Sequence, residues 1–192
     1  MKKILLISIF ILISALSAQA NEIKRIFVGN ESAKISIIAF ESLTCSYCAK
    51  FHQDVYPLLK KEYLDTGLAK IEFRHFPLDI AAFNASKVAQ CKNDGNSKIL
   101  ESLYANQQKW VKGSSIEEAN INLQKFLSKE GFNIDFESCI NNKQIEDFVL
   151  NEQIDGAKKF KVNASPTKII NNKKFEKTLN YKNLKKALEK LI

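Results

Sequence analysis

Apolar residues in this chain fall first in a near-continuous run, then in alternating and helical spacings. Residues 4–13 are all apolar apart from Ser8. Residues 25–28 alternate briefly and predict a short edge strand, turned by Gly29-Asn30. Residues 34–40 are nearly all apolar and rich in isoleucine, the pattern of a buried central strand. Residues 49–63 carry Phe51, Val55, Leu58, Leu59 and Tyr63 at helical spacing. Pro57 falls inside that run and predicts a kink. Residues 70–76 alternate again, with Ile71 and Phe73 on one face, and predict a second strand. A strand, a helix and a strand in this order predict a parallel, right-handed β-α-β unit.

From residue 79 to 162 the pattern turns helical, with no clear strand. Ala81, Ala85, Val88 and Ala89 share one face, which ends near Asp94-Gly95. Ser115 and Glu118 form a capping box ahead of Ile116, Ala119, Leu123, Phe126 and Leu127, and Gly131 closes that helix. Phe136, Cys139 and Ile140 open another helix after Asp135, and residues 145–160 continue in the same style. Strand character returns at residues 167–170. A turn at Asn171-Asn172 and a short pairing strand near Phe175 complete a hairpin. Residues 181–192 place Leu184, Leu188, Leu191 and Ile192 on the face of a last helix. Trp110 and the apolar positions of the helical block read as core.

The first twenty residues change the compartment. Lys2 and Lys3, the apolar run and Ala18-Gln19-Ala20 read as a secretory signal peptide cleaved after Ala20. The alternative is an uncleaved anchor, but residues 4–18 fall short of the ~20 apolar residues that span a bilayer. The reading therefore places the mature chain in the periplasm. Removing Lys2 and Lys3 from the 29 basic residues leaves 27 against 21 acidic ones, a net charge of +6. The lysines are scattered among acidic and amide residues, which reads as a solvated surface and argues against nucleic acid as a partner.

Export also decides how four cysteines are read. An even number is expected to pair in an oxidising compartment. Cys45 and Cys48 lie close in sequence, which leaves Cys91 with Cys139. The Cys45-Ser46-Tyr47-Cys48 motif sits after a strand and at the start of a helix. Unpaired backbone N–H groups and the positive end of the helix dipole stabilise a thiolate there. The Cys45 pKa is therefore expected below the free value of about 8.5. A structural disulfide or half of a zinc site are the competing readings of the pair. Zinc would need further Cys or His ligands at matching spacing, and only His52 and His75 are available.

Several segments together resemble DsbA-like thiol:disulfide oxidoreductases. Residues 37–52, around the Cys45–Cys48 motif, resemble their active-site segment. Arg74-His75-Phe76-Pro77-Leu78-Asp79 resembles the end of their second core strand. Ala89-Gln90-Cys91 and Phe136-Glu137-Ser138-Cys139-Ile140 resemble the second cysteine pair of part of the family, and Ala164-Ser165-Pro166-Thr167 its cis-proline loop. The order β-β-α-β, helical block, β-β-α matches this resemblance: an α/β, thioredoxin-like fold. Residues 21–78 and 163–192 would form the thioredoxin-like domain, and 79–162 an inserted helical subdomain. Two positions depart from the family pattern. Ala39 stands six before Cys45, where many members carry an acid, and Glu41 is expected to face the other way or lie past the strand end. Ser46 replaces the proline common after the first cysteine.

The resemblance implies an exported enzyme that introduces disulfides into other exported proteins, using no cofactor and no metal. It implies that reduced exported proteins are the substrates and that a membrane-bound oxidase reoxidises the pair. Cys45 is the expected nucleophile and Cys48 the resolving thiol, with Cys91–Cys139 a structural bridge. Ser46, Tyr47, Ser165, Pro166 and His52 are the expected supporting residues. A cis Pro166 would turn the Ser165 backbone toward Cys45, and the Ser165 hydroxyl is a candidate partner of the Cys45 thiolate. His52, one turn beyond Cys48, is either a border residue of the site or a packing histidine. Two other functions fit the same motif: a reductase or isomerase, and a non-catalytic peptide-binding module.

Overall fold

The computed structural model describes residues 22–96 and 98–192. The signal-peptide reading lies outside them. A five-stranded sheet runs in the order β1 (Ile26–Gly29), β3 (Ala69–His75), β2 (Ile35–Glu41), β4 (Thr167–Ile170), β5 (Lys173–Lys174). β2 and β3 are parallel, and the other three pairings are antiparallel. The expected edge strand, the parallel pair and the C-terminal hairpin are all present. Phe175 falls just past β5 but still donates its N–H to the Lys168 carbonyl at 2.9 Å.

The helix expected over residues 49–63 is three pieces. α1 (Ser46–Asp54) starts earlier, at the thiol motif, and α2 (Tyr56–Leu59) follows. A π-helical turn, Lys60–Leu64, closes the run. Pro57 lacks an N–H, and its ring opposes the carbonyl four residues back, so the break falls at Val55. The break also rotates Leu58 out of the apolar face, and it is exposed. The last helix stops at Leu188, leaving Leu191 and Ile192 in solvent.

The helical block holds α3 (Ile80–Gln90), α4 (Lys98–Ala105), α5 (Gln107–Trp110), α6 (Ile116–Lys129), α7 (Phe136–Ile140) and α8 (Lys143–Phe160). α9 (Tyr181–Leu188) ends the fold. α4 and α5 were not expected, although Ile99, Leu100, Leu103 and Tyr104 carry the helical spacing of a buried face. α3, α6, α7 and α8 begin at Asp79, Ser115, Asp135 and Asn142, and each of these side chains accepts an N–H of the first turn. The Glu118 carboxylate reaches back to the Ser114 N–H, one residue before the cap it was expected to bond. Cys91, at the end of α3, is disulfide-bonded to Cys139 of α7 across 48 residues of chain. Closing a loop of that length is worth about 4 kcal/mol in a chain-entropy account. No helix of the described residues is long and apolar enough to cross a membrane.

The two faces of β2 bury different things. Ile35, Ile37 and Ala39 join the large core that continues into α1, α3, α4, α6 and α7. Phe40 faces the other way and packs with Phe76, Val162 and Ile169. α8 crosses this second face through Gly156, where a Cβ would stand 2.7 Å from Phe40 Cε1. Phe40 is held between Phe76 and Phe160, with ring centroids at 6.5 and 5.5 Å, so it has little room to give. Gly156→Ala is therefore expected to destabilise. Overpacking costs about 1–3 kcal/mol or more and outweighs the ~1 kcal/mol that alanine gains over glycine in a helix. Thermal unfolding checks this, and a raised Tm would contradict it.

Candidate active site

Cys45 is the N-cap of α1, with extended backbone (φ −75°, ψ 118°). Its carbonyl accepts the first helical N–H groups, from Cys48 and Ala49, both at 3.1 Å. Its sulfur is half-buried, while Cys48 is fully buried. Both are free thiols in this structure. Ser46 and Tyr47 lie between them on the exposed side, Tyr47 at 72% exposure.

The loop before β4 closes the site from the opposite side. α8 ends at Phe160 and is capped by Lys161, whose left-handed backbone (φ 54°) reverses the chain. The chain then reaches the Ser165–Pro166 peptide bond, which is cis. The Ser165 carbonyl lies 3.4 Å from Cys45 Sγ and accepts its S–H. The Ser165 hydroxyl sits 2.9 Å from Cys48 Sγ and also helps to lower the Cys45 thiol, its expected partner, so it serves both sulfurs. That hydroxyl also accepts the Ser42 N–H at 3.0 Å, which ties the two loops together.

The two thiols are pushed in opposite directions. Cys45 is lowered to about 6, first by the hydrogen bond from the Cys48 thiol. Partial burial opposes this, and the Cys48 and Tyr47 backbone N–H groups and Ser165 add to it. Cys48 is raised far above the thiol range, first by burial, then by Cys45 and by the nearby charge of Glu41.

Glu41 corrects the sequence reading. Side chains alternate along a strand, so residue 41 shares a face with Ala39, Ile37 and Ile35. It points into the core beneath the thiols rather than away from them, and it is buried. One carboxylate oxygen accepts from His52 Nε2 at 2.6 Å, and the other pairs with Lys168 Nζ. Lys168 lies opposite Ala39 in the β2–β4 register, a diagonal neighbour of Glu41 on the same face. Burial would raise the Glu41 carboxyl, but Lys168 and His52 together bring it down to about 2. The Lys168 ammonium also stands 3.7 Å from the Phe51 ring centre, a cation–π contact.

His52 does not border the surface of the site. It is buried beneath α1, and its ring stacks on Tyr104 with centroids 4.0 Å apart. His75 is also buried, as expected of a structural residue, with Nε2 3.3 Å from Gln90 Oε1. Burial lowers its pKa to about 4, so it is neutral near pH 7. Lys168, Tyr104 and Gln107 were missed in the sequence. A lysine inside a four-residue buried strand was the available signal for the first. Tyr104 and Gln107 lie on the helices that the pattern reading passed over. Among the described residues no group of three or more His, Cys, Asp or Glu side chains could hold a metal ion.

A family model described as Thioredoxin matches residues 21–190. A putative protein-disulfide oxidoreductase of Rickettsia conorii is 29% identical over 122 residues, covering 62% of this chain and 43% of the relative. A probable disulfide bond formation protein D of Bacillus anthracis is 25% identical, covering 85% of this chain and 76% of the relative. Among solved structures, alpha-DsbA1 of Wolbachia pipientis superposes with a TM-score of 0.77 at 27% identity, over 87% of this chain and 90% of that one. The chain spans less than two thirds of the rickettsial relatives, 43% of the Rickettsia conorii protein and 61% of its Rickettsia typhi counterpart.

Proposed function

The chain belongs to the thioredoxin family, and we propose on that premise that it is a DsbA-like thiol:disulfide oxidoreductase that oxidises dithiols of exported proteins. The observation that carries this reading is the asymmetry of the pair: a half-exposed Cys45 lowered to about 6 beside a buried, raised Cys48.

In the oxidised enzyme a substrate thiolate attacks Cys45 Sγ, the exposed sulfur. The Cys45–Cys48 bond breaks, and its electron pair leaves on Cys48 Sγ. Cys48 takes up a proton, because burial and the Glu41 carboxylate disfavour its anion. The Ser165 hydroxyl, 2.9 Å away, is the nearest group able to pass that proton on. Glu41, held ionised by Lys168 and His52, acts through its charge rather than as a proton carrier. The substrate's second thiolate then attacks its own sulfur in the mixed disulfide and expels Cys45 as a thiolate. Substrate loses two electrons and two protons: one proton ends on Cys48, the other goes to solvent, and the reduced enzyme holds a Cys45 thiolate beside a Cys48 thiol.

A stable Cys45 thiolate is a good leaving group and stabilises the reduced enzyme, which makes the disulfide form the stronger oxidant. Each pKa unit is worth about 1.4 kcal/mol, or ~30 mV for two electrons. Solvent around the half-exposed sulfur reduces the share realised. This direction favours oxidase over reductase or isomerase. Export through the N-terminal leader and reoxidation of the pair by a membrane-bound oxidase are parts of the same proposal.

The test is a Cys48→Ala variant expressed in its native host. With the resolving thiol gone, Cys45 is expected to hold exported proteins as mixed disulfides that a reductant releases. An adduct-free Cys48→Ala protein would count against the proposal.

A further inference from the structure

We propose that Gln107, the first residue of α5, is a positioning residue for the reactive cysteine, gripping the loop that carries Cys45. The inference rests on the oxidoreductase reading above and adds a residue to its machinery from the helical block.

The side-chain amide of Gln107 is buried and reaches the thiol loop from 62 residues away in sequence. Nε2 donates to the Leu43 carbonyl at 2.8 Å and to the Cys45 carbonyl at 3.0 Å, so both of its hydrogens are used. The Cys45 carbonyl is the one on which α1 starts, since it also receives the Cys48 and Ala49 N–H groups. Holding that carbonyl sets the direction of the first turn. The first turn aims the Tyr47 and Cys48 N–H groups at Cys45 Sγ.

The grip comes from a fixed platform. Trp110, on the same short helix, is buried, and its indole N–H donates to the Leu103 carbonyl at 2.8 Å. α5 packs against both α4 and α6. Gln107 therefore does not follow the thiol loop; the loop is held to it. A purely structural role, satisfying two carbonyls, would affect stability but leave the acidity of Cys45 untouched.

Gln107→Met keeps the side-chain size and removes both donors. It is expected to cut the rate of Cys45 alkylation about three- to tenfold near pH 5, the effect of one aligned hydrogen bond on the thiolate. The plateau at alkaline pH is expected to stay unchanged, because the sulfur is equally exposed. Gln108→Met, at the exposed neighbouring position, is expected to keep the wild-type profile. A Gln107→Met profile that superimposes on wild type would overturn the assignment. Should that variant fail to fold, the wild-type protein supplies the test by NMR. The two Gln107 Nε2–H resonances are expected to shift with the same midpoint as Cys45, and resonances that ignore that titration would overturn it. The two readings fail separately. An inactive wild type ends the oxidoreductase reading, while an active wild type with an unmoved Gln107→Met profile ends this one.

Discussion

Lys168→Met is expected to cost the folded protein about 3–5 kcal/mol, because it leaves the Glu41 carboxylate buried without its main counter-charge. Both side chains are essentially inaccessible to solvent. At about 2–4 °C per kcal/mol for a domain of this size, the Tm should fall by roughly 6–20 °C. Removing both partners, in Glu41→Gln combined with Lys168→Met, should cost clearly less than the sum of the two single changes. The pH dependence has a definite sign. Glu41 is lowered to about 2 in the folded protein from an ordinary 4.5. Its contribution is thus complete above pH 4.5 and is lost as the pH falls toward 2. In Lys168→Met that loss should begin at higher pH, since Lys168 is the larger of the two charges that hold the carboxyl down. Denaturant unfolding across this range reads both effects. A single-variant loss below about 1 kcal/mol would show that the ion pair does not carry this part of the fold.

Cys45→Ala is expected to reduce dithiol oxidation to the uncatalysed background. Cys48 cannot take over: it is fully buried, and burial and the nearby Glu41 charge keep its thiol far above neutrality without Cys45. A substrate thiolate therefore has no exposed sulfur left to attack. The measurement is oxidation of a reduced dithiol peptide with glutathione disulfide as terminal oxidant. Retained turnover would favour a peptide-binding module whose cysteines are incidental. The Cys91–Cys139 bridge should be intact in the same variant, which separates lost chemistry from lost folding.

Much of this site could be read from the chain before its geometry was known. The thiol motif between a strand and a helix start placed Cys45 at a dipole end, and the nearly all-apolar run of residues 34–40 placed that strand in the centre of the sheet. The two-residue period of a strand, carried on from Ala39, would have put Glu41 on the same face and beneath the thiols. Lys168 could not be placed from the sequence, because its meeting with Glu41 depends on an antiparallel register between strands 127 residues apart. Ser165 was legible as a neighbour of the thiols. That its hydroxyl also meets Cys48 depends on the depth of Cys48 in the first turn of α1, which spacing does not report. Gln107 was illegible for a similar reason: the helix that carries it is four residues long and has no periodic signature of its own.

The central claim is that the exposed sulfur, and not the buried one, is the acidic thiol. A pH titration of thiolate absorbance in the reduced protein, repeated on Cys45→Ala and Cys48→Ala, tests it most directly. Wild type should show one transition near pH 6. Cys45→Ala should lack that transition altogether. Cys48→Ala should keep one at a higher midpoint, because the Cys48 thiol is the strongest influence lowering Cys45. A wild-type midpoint at or above about 8.5, the value of an unperturbed thiol, or a low transition that persists in Cys45→Ala, would contradict the account.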